Sequence, residues 1–259
     1  MSKHPVILEP DTTRIRASAM YRFMQQQGFD NYAELHQWSI DNSPAFWVAL
    51  CDFCDIHFDQ PPTTILARPD NIMDAGWFEG AQLNFATHLL RHTGSEAAMV
   101  FCGEDGARRE LSRDELRETV ARVAASLRAC GVEKGDRVAG FLPNCPEAII
   151  AMLATASIGA IWSSCSPDFG INGVVDRFGQ IEPKVLFAAN AYFYNGKRVD
   201  ALDRIPEILS RLPTVETCIV VPYAGSKSDP ASLPDSMAND ETRVDVFHWA
   251  EIMQGGEGS

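Results

Sequence analysis

From residue 97 onward, short blocks of consecutive apolar residues alternate with longer stretches whose apolar positions recur every three or four residues, and glycine or proline stands at most of the changes. Strands covered on both faces read as unbroken apolar runs, whereas helices show a 3.6-residue period. Residues 97–102 and 108–111 are therefore expected strands flanking Glu104, Asp105 and Gly106, a hairpin signal. Ser112 and Glu115 have capping-box spacing for a helix over 113–129, with Leu116, Val120, Val123 and Leu127 inward and Gly131 at its end. Gly135 and Asp136 open a strand over 137–142, and Pro143, Asn144 and Pro146 end it and start a helix. That helix is apolar nearly all round, which marks it as buried rather than amphipathic. Gly159 closes it, 161–165 returns as a strand, and Pro167 with Gly170 ends that strand. A helix near 174–180, a strand at 184–188, a helix near 199–209 and a strand at 217–221 continue the alternation. The expected fold class is α/β: right-handed crossovers feeding a mainly parallel sheet with helices on both faces.

The first part of the chain has a different pattern. Asp11 and Thr12 can cap a helix with Ile15, Ala19, Met20, Phe23 and Met24 on one side, and Gly28 suits its stop. Ser43 and Pro44 start another, with Phe46, Trp47, Leu50, Phe53 and Cys54 at helical spacing; such aromatics are read as packing rather than a ligand box. Around residues 61–74 periodicity is lost and proline and asparagine accumulate, which reads as a linker. The organisation expected is a helical N-terminal extension over 1–94 and an α/β domain over 95–259. Beyond Pro222 a polar run rich in proline and serine reads as a surface loop, and no internal repeat is evident.

Composition narrows the function classes. With 46% hydrophobic and 22% charged residues in 259, the chain is that of a soluble globular protein, and a net charge of −13 argues against nucleic acid or an anionic membrane as partner. Small anions can still bind where basic groups converge. Seven cysteines, an odd number scattered through apolar segments, read as reduced thiols and a cytoplasmic location. Cys51 and Cys54 have CxxC spacing, but with His57 as the one further ligand type nearby they read as helix packing rather than zinc. The first ten residues lack the apolar region of a secretory signal. The longest apolar stretch, 148–162, is interrupted by Thr155, Ser157 and Gly159 and falls short of the roughly 20 residues of a membrane span.

The wording of several segments goes further than their pattern. KGDRVA (134–139), LPNCPEAIIAMLA (142–154), GAIWS (159–163) and DRFGQIEPKVLF (176–187) resemble the first α/β subdomain of the adenylate-forming acyl-CoA synthetases. SCSPDFG (164–170), YFYNGK (192–197), WFEGAQLNFATHLL (77–90) and the entry over 14–47 resemble the acetoacetyl-CoA synthetase branch, with residues 1–94 similar to the N-terminal extension of acetyl- and acetoacetyl-CoA synthetases. Such ligases activate a carboxylate with ATP, giving an acyl-adenylate and pyrophosphate, and then transfer the acyl group to CoA. The resemblance implies CoA, acetoacetate and ATP with Mg as substrates of a full-length enzyme.

The family's Ser/Thr/Gly-rich phosphate loop ending in Gly-Lys, its acidic Mg motif, its ribose-binding Asp and its catalytic Lys are not found in these residues. Gly255, Gly256, Glu257, Gly258 and Ser259 do not replace the loop, since no Lys-Ser/Thr follows them. The expectation is the N-terminal part of a longer ligase, truncated before the phosphate loop, inactive alone and able to associate with the missing part or a full-length ligase. One family motif does fall inside. An Arg-Gly-Gly-Arg/Lys tetrad of acetyl-CoA synthetases contacts CoA, and Tyr194, Asn195, Gly196 and Lys197 stand in its place, followed by Arg198. Gly196 permits close backbone approach while Lys197 and Arg198 offer cations to phosphate. Tyr194 and Asn195 depart from the tetrad, and a solvated polar strand-to-helix turn is the competing reading.

No catalytic residue or metal ligand is assigned. Ser163, Ser164 and Cys165 lack a GxSxG elbow, Trp162 reads as core, and His88 and His92 at i and i+4 lack a third ligand. An acetyl- or short-chain acyl-CoA synthetase fragment and a non-catalytic CoA-binding or regulatory module remain alternatives. A dinucleotide-dependent oxidoreductase is disfavoured because no GxGxxG follows a strand.

Overall fold

A computed structural model describes residues 8–224 and 244–254; the polar Pro/Ser-rich run at 226–241 and the glycine cluster at 255–259 lie outside the described residues. Two compact units divide at Leu83/Asn84.

The first unit holds α1 (Thr12–Ala17), α2 (Ala19–Gln26), α3 (Tyr32–Asp41), α4 (Ser43–Phe53), β1 (Thr64–Ala67) and β2 (Gly76–Glu79). The single helix expected after Asp11 is broken at Ser18. Its backbone is extended there, and its hydroxyl accepts from the Tyr21 N–H at 3.1 Å while donating to the Ile15 carbonyl at 2.7 Å. Serine thus caps one helix by ending another, and Phe23 and Met24 are buried while Ile15 and Met20 stay exposed. Phe23, Met24 and Leu35 form the small core, with Phe46, Leu50 and Phe53 packed around it. The presumed linker is also corrected: β1 lies inside it and pairs antiparallel with β2, Leu66 opposite Trp77. Four half-exposed residues are too few to show an alternating period.

The second unit runs α5 (Phe85–Leu89), β3 (Ala97–Cys102), β4 (Arg108–Ser112), α6 (Arg113–Ala129), β5 (Arg137–Phe141), α7 (Pro146–Ser157), β6 (Ile161–Cys165), α8 (Ile171–Phe178), β7 (Val185–Ala189), β8 (Ala191–Tyr194), β9 (Lys197–Asp200), α9 (Ile205–Ser210), β10 (Thr217–Val221), β11 (Asp245–His248) and α10 (Trp249–Gln254). Five parallel strands form the sheet, in the order β6-β5-β7-β10-β11. Alternation along the strands divides the core in two. Val185, Phe187 and Ile219 pack with α6 and α7, while Leu186, Ala188 and Val220 pack with α8 and α9 on the other face. Each fully buried Phe or Leu there contributes about 1.5–3 kcal/mol, so the covered central strands dominate the stability of this unit. Gly140 on β5 is required by shape: a Cβ there would lie 2.6 Å from the Trp162 ring, which lies over it. Trp162 is accordingly half-buried and packed 6.0 Å from Phe187, in the core role expected.

Candidate functional site

Numbered along the chain, the sheet strands stand in the order 2-1-3-4-5, so the chain reverses direction across the sheet between β5 and β7. In open parallel sheets the crevice at the carboxyl ends of the two strands flanking such a reversal is where ligands bind. At the end of β5 stand Asn144 and the buried Cys145, and at the end of β7 stands Asn190. Asn190 is the joint of the region. Its side-chain oxygen accepts from the Tyr223 N–H at 2.9 Å and the Ala224 N–H at 3.2 Å, its amide donates to the Ala224 carbonyl at 2.8 Å, and its own carbonyl accepts from the Ala201 N–H at 2.9 Å. A buried amide with oxygen and nitrogen both satisfied holds a fixed orientation, and here it fixes the base of the next two strands.

Those strands, β8 and β9, form an antiparallel hairpin with Tyr194 opposite Lys197 and Phe193 opposite Arg198. The strand-to-helix turn of the competing reading is instead a two-residue hairpin turn, and the helix expected from 199 starts at Ile205. Asn195 and Gly196 carry φ of +51° and +72°. Two successive positive φ values match the right-handed twist of the strands, and Asn-Gly tolerates them where branched residues do not. Alternation places Tyr194 and Lys197 together on one face of the tip and Phe193 and Arg198 on the other. Tyr194 is 63% exposed, and the Lys197 ammonium makes no ion pair among the described residues. Arg198 is already engaged by Asp200 at 2.7 Å, leaving Lys197 as the more open cation of the tip.

Phe193 packs against Tyr223 with ring centroids 6.3 Å apart, and Tyr223 in turn meets Phe101 of β3 at 6.1 Å. Arg109 of β4 lies 5.2 Å over the Phe101 ring and grips Glu147 at the start of α7 through two bonds of 2.6 and 2.8 Å. This bidentate pair raises the Arg109 guanidinium above its usual value, the hydrogen bonding it donates to Glu147 being the chief cause. The Tyr223 phenol is pushed up by burial first, with its neighbours Cys145, Asp105 and Glu104 acting in the same direction. Burial pushes the Cys145 thiol up to about 12, aided by the neighbouring Glu147 carboxylate, so it is not a nucleophile at neutral pH.

The other candidates fall elsewhere. His88 lies in α5, which ends at Leu89, so His92 does not share its helix. Cys51 is half-buried within α4, its thiol raised by burial, and Cys54 follows that helix exposed. Among the described residues no three His, Cys, Asp or Glu side chains gather as for a metal ion, and no helix is long and apolar enough to cross a membrane. A cleft of about 570 Å³ lined by Leu90, Arg91, Arg117, Arg128 and Ser157 runs along α6, and it does not border the hairpin.

Two families match the chain: AMP-binding enzyme over residues 86–248 and acetyl-coenzyme A synthetase N-terminus over residues 32–89. The acetoacetyl-coenzyme A synthetase of Rhizobium meliloti (strain 1021) is 44% identical over 246 residues, covering 92% of this chain and 37% of that protein. The acetoacetyl-CoA synthetase of Macaca fascicularis is 39% identical over 247 residues, 91% of this chain and 36% of that one. The structure of acetoacetyl-CoA synthetase from Streptomyces lividans superposes with a TM-score of 0.82 at 37% identity, over 95% of this chain and 37% of that one. The chain thus spans a little over a third of the length of these relatives.

Proposed function

Because the chain belongs to the AMP-binding enzyme family, we propose that it is the N-terminal portion of an ATP-dependent acetoacetate–CoA ligase, working in the cytoplasm. The observation that carries this reading is the 44% identity, over 92% of the chain, to a protein named acetoacetyl-coenzyme A synthetase. In that reaction the carboxylate oxygen attacks the α-phosphorus of ATP and pyrophosphate leaves; the CoA sulfur then attacks the acyl carbonyl and AMP leaves. Residues 1–94 serve as the helical extension and 95–259 as part of the AMP-binding domain. The described residues contribute to the second step. Tyr194, Asn195, Gly196, Lys197 and Arg198 form the CoA contact at the carboxyl ends of the sheet, with Lys197 offered to phosphate and the Tyr194 ring beside it on the same face.

The experiment uses a full-length ligase carrying this chain as its N-terminal part. Lys197→Ala raises the Michaelis constant for CoA by about ten-fold, a loss of about 1.4 kcal/mol in a charge-assisted contact, and leaves acetoacetate-dependent pyrophosphate release unchanged. An equal loss in both half-reactions would point to a folding defect, and no loss in either would return the tip to an ordinary solvated turn. The 259-residue polypeptide alone releases no pyrophosphate from ATP and acetoacetate; turnover by it would overturn the assignment of the ATP chemistry to residues outside this sequence.

A further inference from the structure

The turn amide of the proposed CoA hairpin already has an anionic partner. The Gly196 N–H donates to Glu104 Oε2 at 2.9 Å, across 92 positions in sequence, so the turn of the β3–β4 hairpin touches the turn of β8–β9. The two hairpins are joined lower down as well, through Tyr223 between Phe101 and Phe193. The first is anchored by Arg109 on Glu147, and the second by Asn190. Two anchored ribbons that share an aromatic at their flanks and a hydrogen bond at their tips form a closed arch. Glu104 is its removable element, being exposed on a turn that also carries Asp105.

We propose that Glu104 is a positioning residue for CoA: its carboxylate occupies the Gly196 amide in the absence of ligand, holds the hairpin tip in its binding shape, and yields that amide to a CoA phosphate. The proposal rests on the CoA reading of the hairpin. A carboxylate oxygen and a phosphate oxygen are interchangeable acceptors for a backbone N–H, and both carry negative charge. While Glu104 is on the amide it prevents the tip from collapsing and repels the incoming anion. Its bond therefore presets geometry at the expense of affinity. Tyr194 and Lys197 project from the same tip, so the amide, the ring and the cation converge within one turn.

The test uses a full-length ligase carrying this chain as its N-terminal part, followed by amide NMR with CoA as the titrant. Two substitutions separate the parts of the role. Glu104→Gln keeps an oxygen that accepts from Gly196 and removes the charge; Glu104→Ala removes both. The expected results are CoA binding about threefold tighter in E104Q and, without CoA, Gly196 amide exchange about tenfold faster in E104A but not in E104Q, in keeping with the modest worth of an exposed charge and a single hydrogen bond. Unchanged exchange at Leu186 and Ile219 in all variants, both in the covered sheet, shows the fold intact. Lys197→Ala run alongside separates the two levels of inference. If K197A weakens CoA binding while E104Q leaves it unchanged or weaker, the Glu104 role is overturned and the CoA site stands. Gly196 exchange unaffected in E104A overturns the positioning role in the same way. If no variant binds CoA, or K197A binds it like the unsubstituted chain, the CoA reading fails and the Glu104 role with it.

Discussion

Burial sorts the seven thiols by reactivity. Cys145 and Cys218 are pushed up to about 12 and Cys165 to about 11, in each case chiefly by removal from water, whereas Cys54 and Cys102 are exposed. At pH 8 a thiol at about 12 is ionised to the order of one part in 10⁴, and only the thiolate alkylates. Iodoacetamide followed by peptide mass spectrometry is expected to label Cys54 and Cys102 within minutes and to leave Cys145, Cys165 and Cys218 until the sheet opens. Equal rates at Cys218 and Cys54 would refute the covered core. The sign of the linkage follows from the raised values. The folded state keeps these thiols protonated, so their contribution to stability is complete below about pH 9 and is lost as pH rises towards 12. Single residues were readable in the sequence to the extent that their chemistry is local. Lone cysteines in apolar runs announce small hydrophobes, but nothing near Glu104 announces Gly196, because that contact is made by the fold.

Elements with a chemical start signal were legible to the residue. Ser112 caps α6 by accepting from the Glu115 N–H at 3.2 Å, while the Glu115 carboxylate accepts from the Ser112 N–H at 2.8 Å. The bond from the Ser112 N–H, the larger cause, and a second from the Ser112 hydroxyl to the same carboxylate oxygen at 2.8 Å, which Ser112→Ala removes, hold Glu115 below the usual carboxylate range. Ser112→Ala is expected to lower stability by about 1 kcal/mol, read as a shift in the urea midpoint at constant slope. The Glu115 share is present above the ordinary carboxylate range and fades as acid protonates the carboxylate, so the gap between the two proteins narrows at low pH. A gap that grows on acidification would exclude the capping box as its source. Where the sequence reading failed, two local preferences competed. Ser18 sits inside a helical period yet its hydroxyl bonds the backbone three residues to either side, at Ile15 and Tyr21, and the period does not reveal which wins. β1 and β2 are four residues each and half-exposed. At Asn195 and Gly196 the hairpin signal was present, but the β–α alternation of the surrounding chain favoured a helix and overrode it.

On the scale of the molecule, four of the five sheet strands were readable because parallel strands covered by helices tend to be continuous apolar runs. The fifth, β11, is four half-exposed residues with polar ones at both ends, and no strand was expected there. The strand order was not readable, since apolar runs do not say which neighbour each takes, and that order places the reversal between β5 and β7 beside the hairpin. The joint at Asn190 has a further consequence, which concerns time. The β8–β9 ribbon is closed by adjacent residues, and hairpins of that kind form in about 1–10 μs, though a lone two-stranded ribbon is marginal in water. Its base, however, is held by Tyr223 and Ala224, more than thirty positions beyond Asn190, after β10 has come alongside β7. Closing such a long loop precedes any gain from the contact, so the sheet sets the pace. The shape of the turn is encoded within a few residues and forms fleetingly early. Its address on the protein is acquired late, so a lesion in β10 would misplace a correctly shaped turn.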